Sequence, residues 1–402
     1  MKKRLFSLLC ALTLLLGAVS SAAALEGESQ RAAETLAELH LINAVPSQEA
    51  LDRPASRTVA ANLLARLAGA TEADLATGAY DYILSQGWTT VTSGQGDPIP
   101  TAEFCASLLR LLGYGGFTDE NGDLFARRIA LTTRDYGEAL TLGDLYQIAR
   151  DALVFPGQDG GTPAQKLAEK GLCSPEAARL PEELTARQVA DRHMAAAFQL
   201  ETYYTEKAFQ SGRSSNGGSG FFVSADGLAV TNYHTIQDAV LATATLITGE
   251  TFLVDRVLFY DPDADLALLR ISKTSQDKLE VPFFSFLEIA EDPALRRGDR
   301  IYTLGVPLGI TPAISQGIVS ATDHKVDQFS FPCVVNTADI SHGSSGGALL
   351  NVYGHVVGVT SGAYEAGNSL YISVPLTPIL EADWTVEGIT LADVVKEMKE
   401  RT

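Results

Sequence analysis

The stretch that most constrains this chain is residues 339–350, with the sequence DISHGSSGGALL. Two glycines follow Ser345 and allow a sharp turn into the apolar run 348–350, which is typical of a buried strand. A serine hydroxyl becomes a useful nucleophile only when a base takes its proton and donors stabilise the oxyanion that forms. The N–H groups of Gly343 and Ser345 suit the second task, because glycine lets the backbone approach a bound group closely. Gly/Ser clusters are equally typical of flexible loops, so this interpretation requires partners elsewhere in the chain.

A base and a carboxylate with suitable surroundings occur upstream. Of the six histidines, only His234 directly follows a predicted hairpin, formed within residues 220–232 by two short strands and an Asp-Gly turn. A side chain at the end of a rigid strand has a fixed rotamer, as a base requires. Asp265 opens the apolar run 265–271, which predicts a strand with this carboxylate at the sheet edge. Such a carboxylate can hold the imidazole tautomer that accepts a proton from serine.

Three motifs in this order resemble those of the chymotrypsin-fold serine proteases, and among them the bacterial HtrA/Deg-like peptidases. They are TNYH at 231–234, DLALL at 265–269 and GSSGGAL at 343–349. Glycine-bearing segments that also fit the family pattern are 305–309, 317–321 and 354–361. The resemblance covers about residues 198–380. It implies an all-β domain of two six-stranded antiparallel barrels, with the active site in the cleft between them.

The resemblance also implies the chemistry. It assigns His234 as the general base, Asp265 as the group that orients it, and Ser345 as the nucleophile. The N–H groups of Gly343 and Ser345 would form the oxyanion hole. The implied reaction is endoproteolytic hydrolysis of protein or peptide substrates through an acyl-enzyme, in which His234 passes the serine proton to the leaving amine. This reaction requires no metal ion and no organic cofactor.

Three residues are candidates for substrate binding: Asp339, Ser361 and Gly362. In the trypsin-like fold, the residue six before the nucleophile lies at the floor of the primary specificity pocket, and Asp339 holds that position. A buried, unpaired carboxylate there would favour Lys or Arg in the substrate. Alternatively, Asp339 turns away and bonds to backbone, which is the interpretation we favour. Ser361 and Gly362 stand where the family has the strand that lines its substrate cleft.

Two alternatives to a constitutive enzyme stay open. The chain could be a non-catalytic, cell-wall-associated binding protein that keeps a protease fold, although the complete triad disfavours this. It could also be a latent protease whose Gly343–Ser344 peptide is flipped until a substrate or partner binds.

The beginning of the chain predicts export. Residues 2–4 are basic, residues 5–19 are apolar and an A-x-A site ends at Ala24, so residues 1–24 form a predicted signal peptide. The apolar run is shorter than the ~20 residues of a membrane span, and no transmembrane segment is expected in the mature chain. Removing the three basic residues changes the net charge from −19 to −22. This charge disfavours nucleic acid as a partner, and we expect a secreted or cell-envelope protein.

Residues 25–180 have a helical pattern, so the predicted fold class is multidomain, with an all-α N-terminal domain followed by the all-β double barrel. Helix starts recur at Ser56, Thr101 and Thr141, the last with a capping-box pattern. Their spacing of 45 and 40 residues predicts three related helical units.

Parts of these units resemble S-layer homology repeats, a family that packs three repeats into a unit that holds a bacterial cell-wall polymer. The resemblance lies in residues 51–57 and 100–104. Only Arg57 stands where that family has a basic residue, and an anionic polymer would require such cations. Binding of a wall polymer and a helical domain that merely packs on or shields the protease remain alternatives.

The other boundaries follow from composition and pattern. Residues 181–219 are a predicted linker plus the first strand of the protease domain, and their last part, 210–219, has the composition of a flexible loop. The protease domain covers 220–380. Residues 381–402 contain one amphipathic helix, expected to pack against the second barrel, and no PDZ domain is expected after it.

Three cysteines follow the predicted signal peptide, at 105, 173 and 333. This odd number without close pairs predicts neither a zinc site nor a disulfide framework. Three buried thiols are the favoured interpretation, and a single bridge between Cys105 and Cys173 is the alternative.

Overall fold

The computed structural model describes residues 27–401, apart from 133, 160, 176, 178–182, 291–292, 310, 327–328 and 364–369. The predicted signal peptide 1–24 lies outside the described residues. The chain divides into two compact units, one within residues 1–127 and 134–180, the other within 128–133 and 181–402. The first is helical and the second contains two β-barrels, which confirms the predicted fold class. None of the helices in the described residues combines the length and apolarity needed to cross a bilayer.

Eight helices form the helical unit in the described part of the chain. They are α1 (27–38), α2 (Gln48–Leu51), α3 (Arg57–Leu67), α4 (Ala79–Ser85), α5 (Thr101–Leu111), α6 (Gly122–Arg128), α7 (Leu142–Leu153) and α8 (Pro163–Glu169). The three predicted helix starts are confirmed at α3, α5 and α7. Ser56 caps α3 by accepting a hydrogen bond from Val59, and Thr141 forms the predicted capping box with Asp144.

The segments that enter these three helices meet in a closed ring of backbone hydrogen bonds. The N–H of Ala55 donates to Leu140, that of Leu140 to Ile99, and that of Ile99 back to Ala55, at N–O distances of 2.9, 3.2 and 2.8 Å. Each segment thus satisfies its neighbour's buried backbone groups, as a buried chain requires. The ring thus joins the starts of α3, α5 and α7.

The guanidinium of Arg57 is already engaged. Its Nε lies 2.8 Å from Oε1 of Glu103 and its Nη2 lies 2.7 Å from Oε2. Both side chains are largely buried, with exposed fractions of 15% and 7%. The hydrogen bond to Glu103 raises the pKa of Arg57. The basic residue that the sequence offered for binding an anionic wall polymer therefore serves the packing of α3 against α5.

The barrel unit contains two closed barrels of six antiparallel strands each. The first barrel comprises β1 (Ala197–Tyr203), β2 (Asn216–Phe222), β3 (Leu228–Thr231), β4 (Leu241–Leu246), β5 (Thr251–Asp261) and β6 (Leu266–Ser275), in the order β1-β2-β3-β6-β5-β4. The second comprises β7 (Arg300–Gly305), β8 (Ala313–His324), β9 (Cys333–Asn336), β10 (Ala348–Leu350), β11 (Val356–Ala363) and β12 (Tyr371–Val374), in the order β10-β11-β12-β9-β8-β7. Closure leaves no long unpaired strand edge.

Short helices connect and flank the barrels: α9 (Ala186–His193), α10 (Glu206–Gln210), α11 (Tyr233–Ile236), α12 (Thr377–Glu381) and α13 (Leu391–Arg401). Aromatic rings fill the core of the first barrel, where Phe222 stacks on Phe284 with 4.3 Å between ring centroids. The predicted hairpin before His234 is confirmed as β2 and β3, with Gly227 of its Asp-Gly turn at φ +101°.

Two predictions about this unit are wrong. Residues 216–219 were expected to be flexible loop, but they are the first half of β2 and pair with β1. Helix α13 was expected on the second barrel, but its Leu391 and Val394 lie in the core of the first barrel. Two backbone hydrogen bonds between Val257 and Ile389, with N–O distances of 2.8 and 2.9 Å, hold the segment before α13 against β5. An amphipathic pattern predicts a buried face without saying which surface covers it.

The three cysteines are all unpaired, so the alternative of a Cys105–Cys173 bridge is wrong. Cys105 and Cys333 are buried, whereas Cys173 is only partly so. Burial raises the pKa of the Cys105 thiol to about 12 and that of Cys333 to about 11. Such thiols stay protonated at neutral pH and behave as small apolar side chains.

A histidine at the end of α9 is expected to make the barrel unit sensitive to acid. The Nε2 atom of His193, at the end of α9, is closed off from solvent and has no hydrogen-bond partner in the described residues. Burial, with smaller contributions from Arg192 and His355, lowers the pKa of His193 to about 3. The side chain is therefore neutral in the folded protein, while the unfolded chain takes up a proton below pH ~6.5. Unfolding thus becomes more favourable as the pH falls below that value.

We expect His193 to lower the free energy of unfolding by about 2 kcal/mol at pH 5 relative to pH 8. Urea unfolding of a Trp88→Phe background, followed by the fluorescence of Trp384 in the barrel unit, measures this. His193→Leu should remove the difference, and His324→Leu, at an exposed histidine of β8, should keep it. An unchanged difference in His193→Leu would contradict the assignment.

Candidate active site

The nucleophile loop precedes β10, and its shape depends on glycine. Gly346 has φ +86°, and a Cβ atom there would overlap the carbonyl oxygen of Ser219 and the hydroxyl of Thr231. The N–H of Gly346 donates to the carbonyl of Thr360, whose N–H donates to Gly347, both at 2.8 Å. These bonds hold the residues after Ser345 against β11, so the backbone on that side of the serine is fixed.

His234 lies at the end of β3, on the single turn of α11. Two contacts fix this turn from both sides. The amide of the fully buried Asn232 donates to the carbonyl of Asp265 at 2.8 Å. The ring of Tyr233 stacks on Tyr260 of β5, with 5.8 Å between centroids. The first barrel thus positions the imidazole through buried contacts.

Asp265 binds His234 twice. Its carboxylate lies 2.9 and 2.8 Å from the imidazole Nδ1 and also accepts the backbone N–H of His234 at 2.9 Å. The Asp265 side chain is nearly inaccessible to solvent, and its backbone has φ +56°, a region that Asp and Asn tolerate best among side chains. Because a carboxylate only accepts, Nδ1 carries the proton and Nε2 keeps its lone pair.

Ser361 of β11 connects the two barrels at this point. Its hydroxyl donates to Oδ2 of Asp265 at 2.5 Å, and its carbonyl accepts the hydroxyl of Ser345 at 3.0 Å. In the described part of the chain the Ser345 hydroxyl is thus bonded to Ser361 and not to His234. The predicted base and carboxylate come from the first barrel and the predicted nucleophile from the second, and Ser361 contacts both sets.

The turn before Ser345 presents two unused donors. Gly343 has φ +91°, and the N–H of Ser344 donates to the carbonyl of Ser341 at 2.9 Å. The carbonyl of Gly343 accepts the hydroxyl of Ser219 at 2.6 Å. No described acceptor takes the N–H of Gly343 or of Ser345. The Gly343–Ser344 peptide therefore has both its polar groups engaged inside the protein.

The family model for the trypsin-like peptidase domain matches residues 218–359, a span that contains His234, Asp265 and Ser345. This span resembles a trypsin-like peptidase domain. A probable periplasmic serine endoprotease, DegP-like, from Chlamydia trachomatis is 34% identical over 161 residues, which are 39% of this chain and 30% of that protein. A protein of the same description from Pseudomonas fluorescens is 34% identical over 197 residues, 46% of this chain and 40% of its own length. The chain spans less than half the length of these relatives.

Two solved structures are also similar. A serine endoprotease from Yersinia pestis is 23% identical and covers 50% of this chain and 65% of its own, with a TM-score of 0.41. The HtrA-type protease AlgW with a tripeptide is 25% identical and covers 49% of this chain and 62% of its own, with a TM-score of 0.42.

The candidate substrate residues lie in β11 and in the segment between β9 and β10. Asp339 is exposed and accepts the hydroxyl of Tyr371 at 2.7 Å, a hydrogen bond that raises the pKa of Tyr371. Its carboxylate is therefore neither buried and unpaired nor bonded to backbone. Gly362 adjoins the bulge of β11, and no atom of the described residues lies within 4 Å of the position that a Cβ would take there.

Sequence reasoning missed one residue of the first barrel that contacts the nucleophile loop. Ser219 is fully buried and bonds to both Gly343 and Ser345. The signal in the sequence was its position between two glycines, Gly218 and Gly220. In the structure, a Cβ at Gly218 would overlap the side chain of Thr235, and a Cβ at Gly220 would overlap that of Phe198. Two glycines at tight contacts around a serine indicate close packing, whereas their composition alone indicated a loop.

Proposed function

We propose that the chain is an exported serine endopeptidase that hydrolyses peptide bonds in proteins, with Ser345 as nucleophile, His234 as base and Asp265 as the group that orients it. The observation that carries the proposal is a continuous hydrogen-bonded path. Oδ2 of Asp265 contacts Nδ1 of His234 and also accepts the hydroxyl of Ser361. The backbone carbonyl of Ser361 in turn accepts the hydroxyl of Ser345. The peptidase-domain match at residues 218–359 supports the same function.

The mechanism follows from this geometry. Rotation of the Ser345 side chain away from Ser361 brings its hydroxyl toward Nε2 of His234. Catalytic hydrogen bonds are often poorly aligned when substrate is absent and tighten when it binds. The imidazole takes the proton as Oγ attacks the carbonyl carbon, and the carbonyl π electrons move onto oxygen. The free N–H groups of Gly343 and Ser345 stabilise that oxyanion. His234 then protonates the leaving amine, and water releases the acyl group by the reverse sequence.

Location outside the cytoplasm is part of the proposal. The predicted signal peptide 1–24 supports it, as does the periplasmic description of the relatives from Chlamydia trachomatis and Pseudomonas fluorescens. Binding of a wall polymer is not proposed, because the guanidinium of Arg57 is occupied by Glu103.

The experiment that tests the proposal is incubation of the mature protein with a reduced, unfolded protein, followed by quantification of new amino termini. We expect peptides with free amino termini to accumulate over many turnovers. Binding of the intact polypeptide without any new amino termini would support the non-catalytic alternative and contradict the proposal.

Substrate preference provides a separate prediction. An exposed carboxylate that already accepts the Tyr371 hydroxyl discriminates weakly between charged and neutral side chains, since water screens it. We expect kcat/KM for peptides with Arg at the scissile bond to exceed that for Leu or Val by less than about fivefold. Asp339→Asn should change this ratio by less than about threefold. A strong Arg preference that disappears in Asp339→Asn would show that this carboxylate binds the substrate.

A further inference from the structure

Ser219 of β2 lies at the point where the first barrel contacts the nucleophile loop and the end of β7. The residue is fully buried and makes four hydrogen bonds outside its own strand ladder. Its hydroxyl donates to the carbonyl of Gly343 at 2.6 Å and accepts the N–H of Val306 at 2.7 Å. Its backbone N–H donates to the carbonyl of Ser345, and its carbonyl accepts the hydroxyl of Thr231, both at 2.7 Å.

The direction of the Ser219 hydroxyl proton is determined by these partners. A hydroxyl has one proton and two acceptor lone pairs. Because the N–H of Val306 must donate, it occupies a lone pair, and the single hydroxyl proton is left for the carbonyl of Gly343. Space around the group is equally limited, since a Cβ at Gly305 would lie 3.0 Å from Oγ. The hydroxyl therefore has one partner to which it can donate.

The peptide that accepts this hydrogen bond adjoins the oxyanion hole, because its carbonyl and the N–H of Gly343 are attached to the same Cα. The Gly343–Ser344 peptide is held at its carbonyl by Ser219 and at its N–H by the carbonyl of Ser341. Gly343 has no Cβ to resist rotation, so these two bonds keep the peptide in place. With the peptide fixed and φ at +91°, the N–H of Gly343 has a set direction beside that of Ser345.

We propose that Ser219 is a positioning residue for catalysis, whose hydroxyl aligns the oxyanion hole by holding the carbonyl of Gly343. The inference rests on the proposed endopeptidase function and adds a specific device to it. Without the hydroxyl, the carbonyl of Gly343 loses the donor that the fully buried Ser219 provides. A carbonyl that loses its donor turns toward another partner, and rotation about the Gly343 Cα then changes the direction of the Gly343 N–H on the neighbouring peptide.

The test compares Ser219→Ala with Ser275→Ala. Ser275 is a matched control, because it is also buried and its hydroxyl also accepts a backbone N–H, from Leu279, but at the far end of the β5–β6 hairpin. We expect Ser219→Ala to lower kcat by about 10-fold to 100-fold with KM within about threefold, less than the loss of a whole oxyanion donor. Ser275→Ala should leave both constants near the wild-type values.

A second readout isolates the oxyanion. A peptide trifluoromethyl ketone accepts Ser345 Oγ at its carbonyl carbon, and the proton moves to His234, giving a hemiketal that carries an oxyanion. Its affinity should fall in Ser219→Ala by the same factor as kcat. If the alanine variant does not fold, Ser219→Cys, which keeps a weak donor, should give an intermediate loss in both readouts.

Three results would overturn the inference. One is a Ser219→Ala enzyme whose kcat and ketone affinity stay within about twofold of wild type, well below the loss of an oxyanion donor. Another is a fall in kcat without a fall in ketone affinity, which would assign Ser219 to folding alone. The third is a wild-type protein that neither cleaves peptides nor binds the ketone, a result that would reject the proposed function itself.

Discussion

Replacing Ser345 with alanine is expected to lower kcat on a peptide substrate by about 10⁵-fold to 10⁶-fold, the loss typical of a serine nucleophile in a triad. The change removes one oxygen whose single described hydrogen bond, to the carbonyl of Ser361, is 3.0 Å long. The backbone donors at Gly343 and Ser345 remain, so a small residual rate over water should persist. Initial rates at saturating substrate, measured at high enzyme concentration, cover this range.

Ser211→Ala is the matched control, because Ser211 is an exposed serine of the same unit, next to α10. It should keep wild-type kcat. Thermal unfolding should place the melting temperature of Ser345→Ala near that of the wild type, so that the loss of rate cannot be assigned to unfolding. A Ser345→Ala protein with more than a tenth of wild-type kcat would exclude Ser345 as the nucleophile.

The second large effect is expected for Asp265→Asn, with a fall in kcat of about 10⁴-fold, equivalent to about 5.5 kcal/mol of transition-state stabilisation. Oδ1 of Asp265 accepts the backbone N–H of His234, so the asparagine must place its carbonyl oxygen there. Its NH₂ group then takes the place of Oδ2. There it donates to Nδ1 of His234. The imidazole then carries its proton on Nε2, where it cannot accept one from Ser345.

Asparagine is the informative substitution at 265, because it tolerates the positive φ of +56° as well as aspartate does. The loss therefore reports chemistry and not backbone strain. Asp263→Asn, the same change at an exposed position in the preceding turn, should keep full activity. Equal activity of both variants would contradict the role assigned to Asp265.

Local patterns predicted the elements that carry the candidate site. The Asp-Gly turn and alternating residues predicted β2 and β3, and apolar runs predicted β6 and β10. His234, Asp265 and Ser345 each lie just outside such a strand, so their positions followed from strand ends. The capping box at Thr141 is equally local, since all its partners lie within one turn.

Contacts between distant segments could not be predicted in this way. The partner of Asp339 is a tyrosine hydroxyl 32 residues further along the chain. Residues 216–219 have a low intrinsic preference for strands, and tertiary hydrogen bonds to Ser219 override it. Helix α13 shows its apolar face in the sequence, but only the approach of Ile389 to Val257 decides that the first barrel covers it.

Covalent labelling with a fluorophosphonate, followed by mass-spectrometric mapping of the adduct, tests most directly whether Ser345 is an activated nucleophile. In the reaction the serine oxygen forms a bond to phosphorus, fluoride leaves, and the serine proton passes to His234. We expect a single adduct on the peptide that contains Ser345 in the wild-type protein, and none in Ser345→Ala. A wild-type protein that stays unlabelled, or that carries its adduct on another serine, would contradict the account.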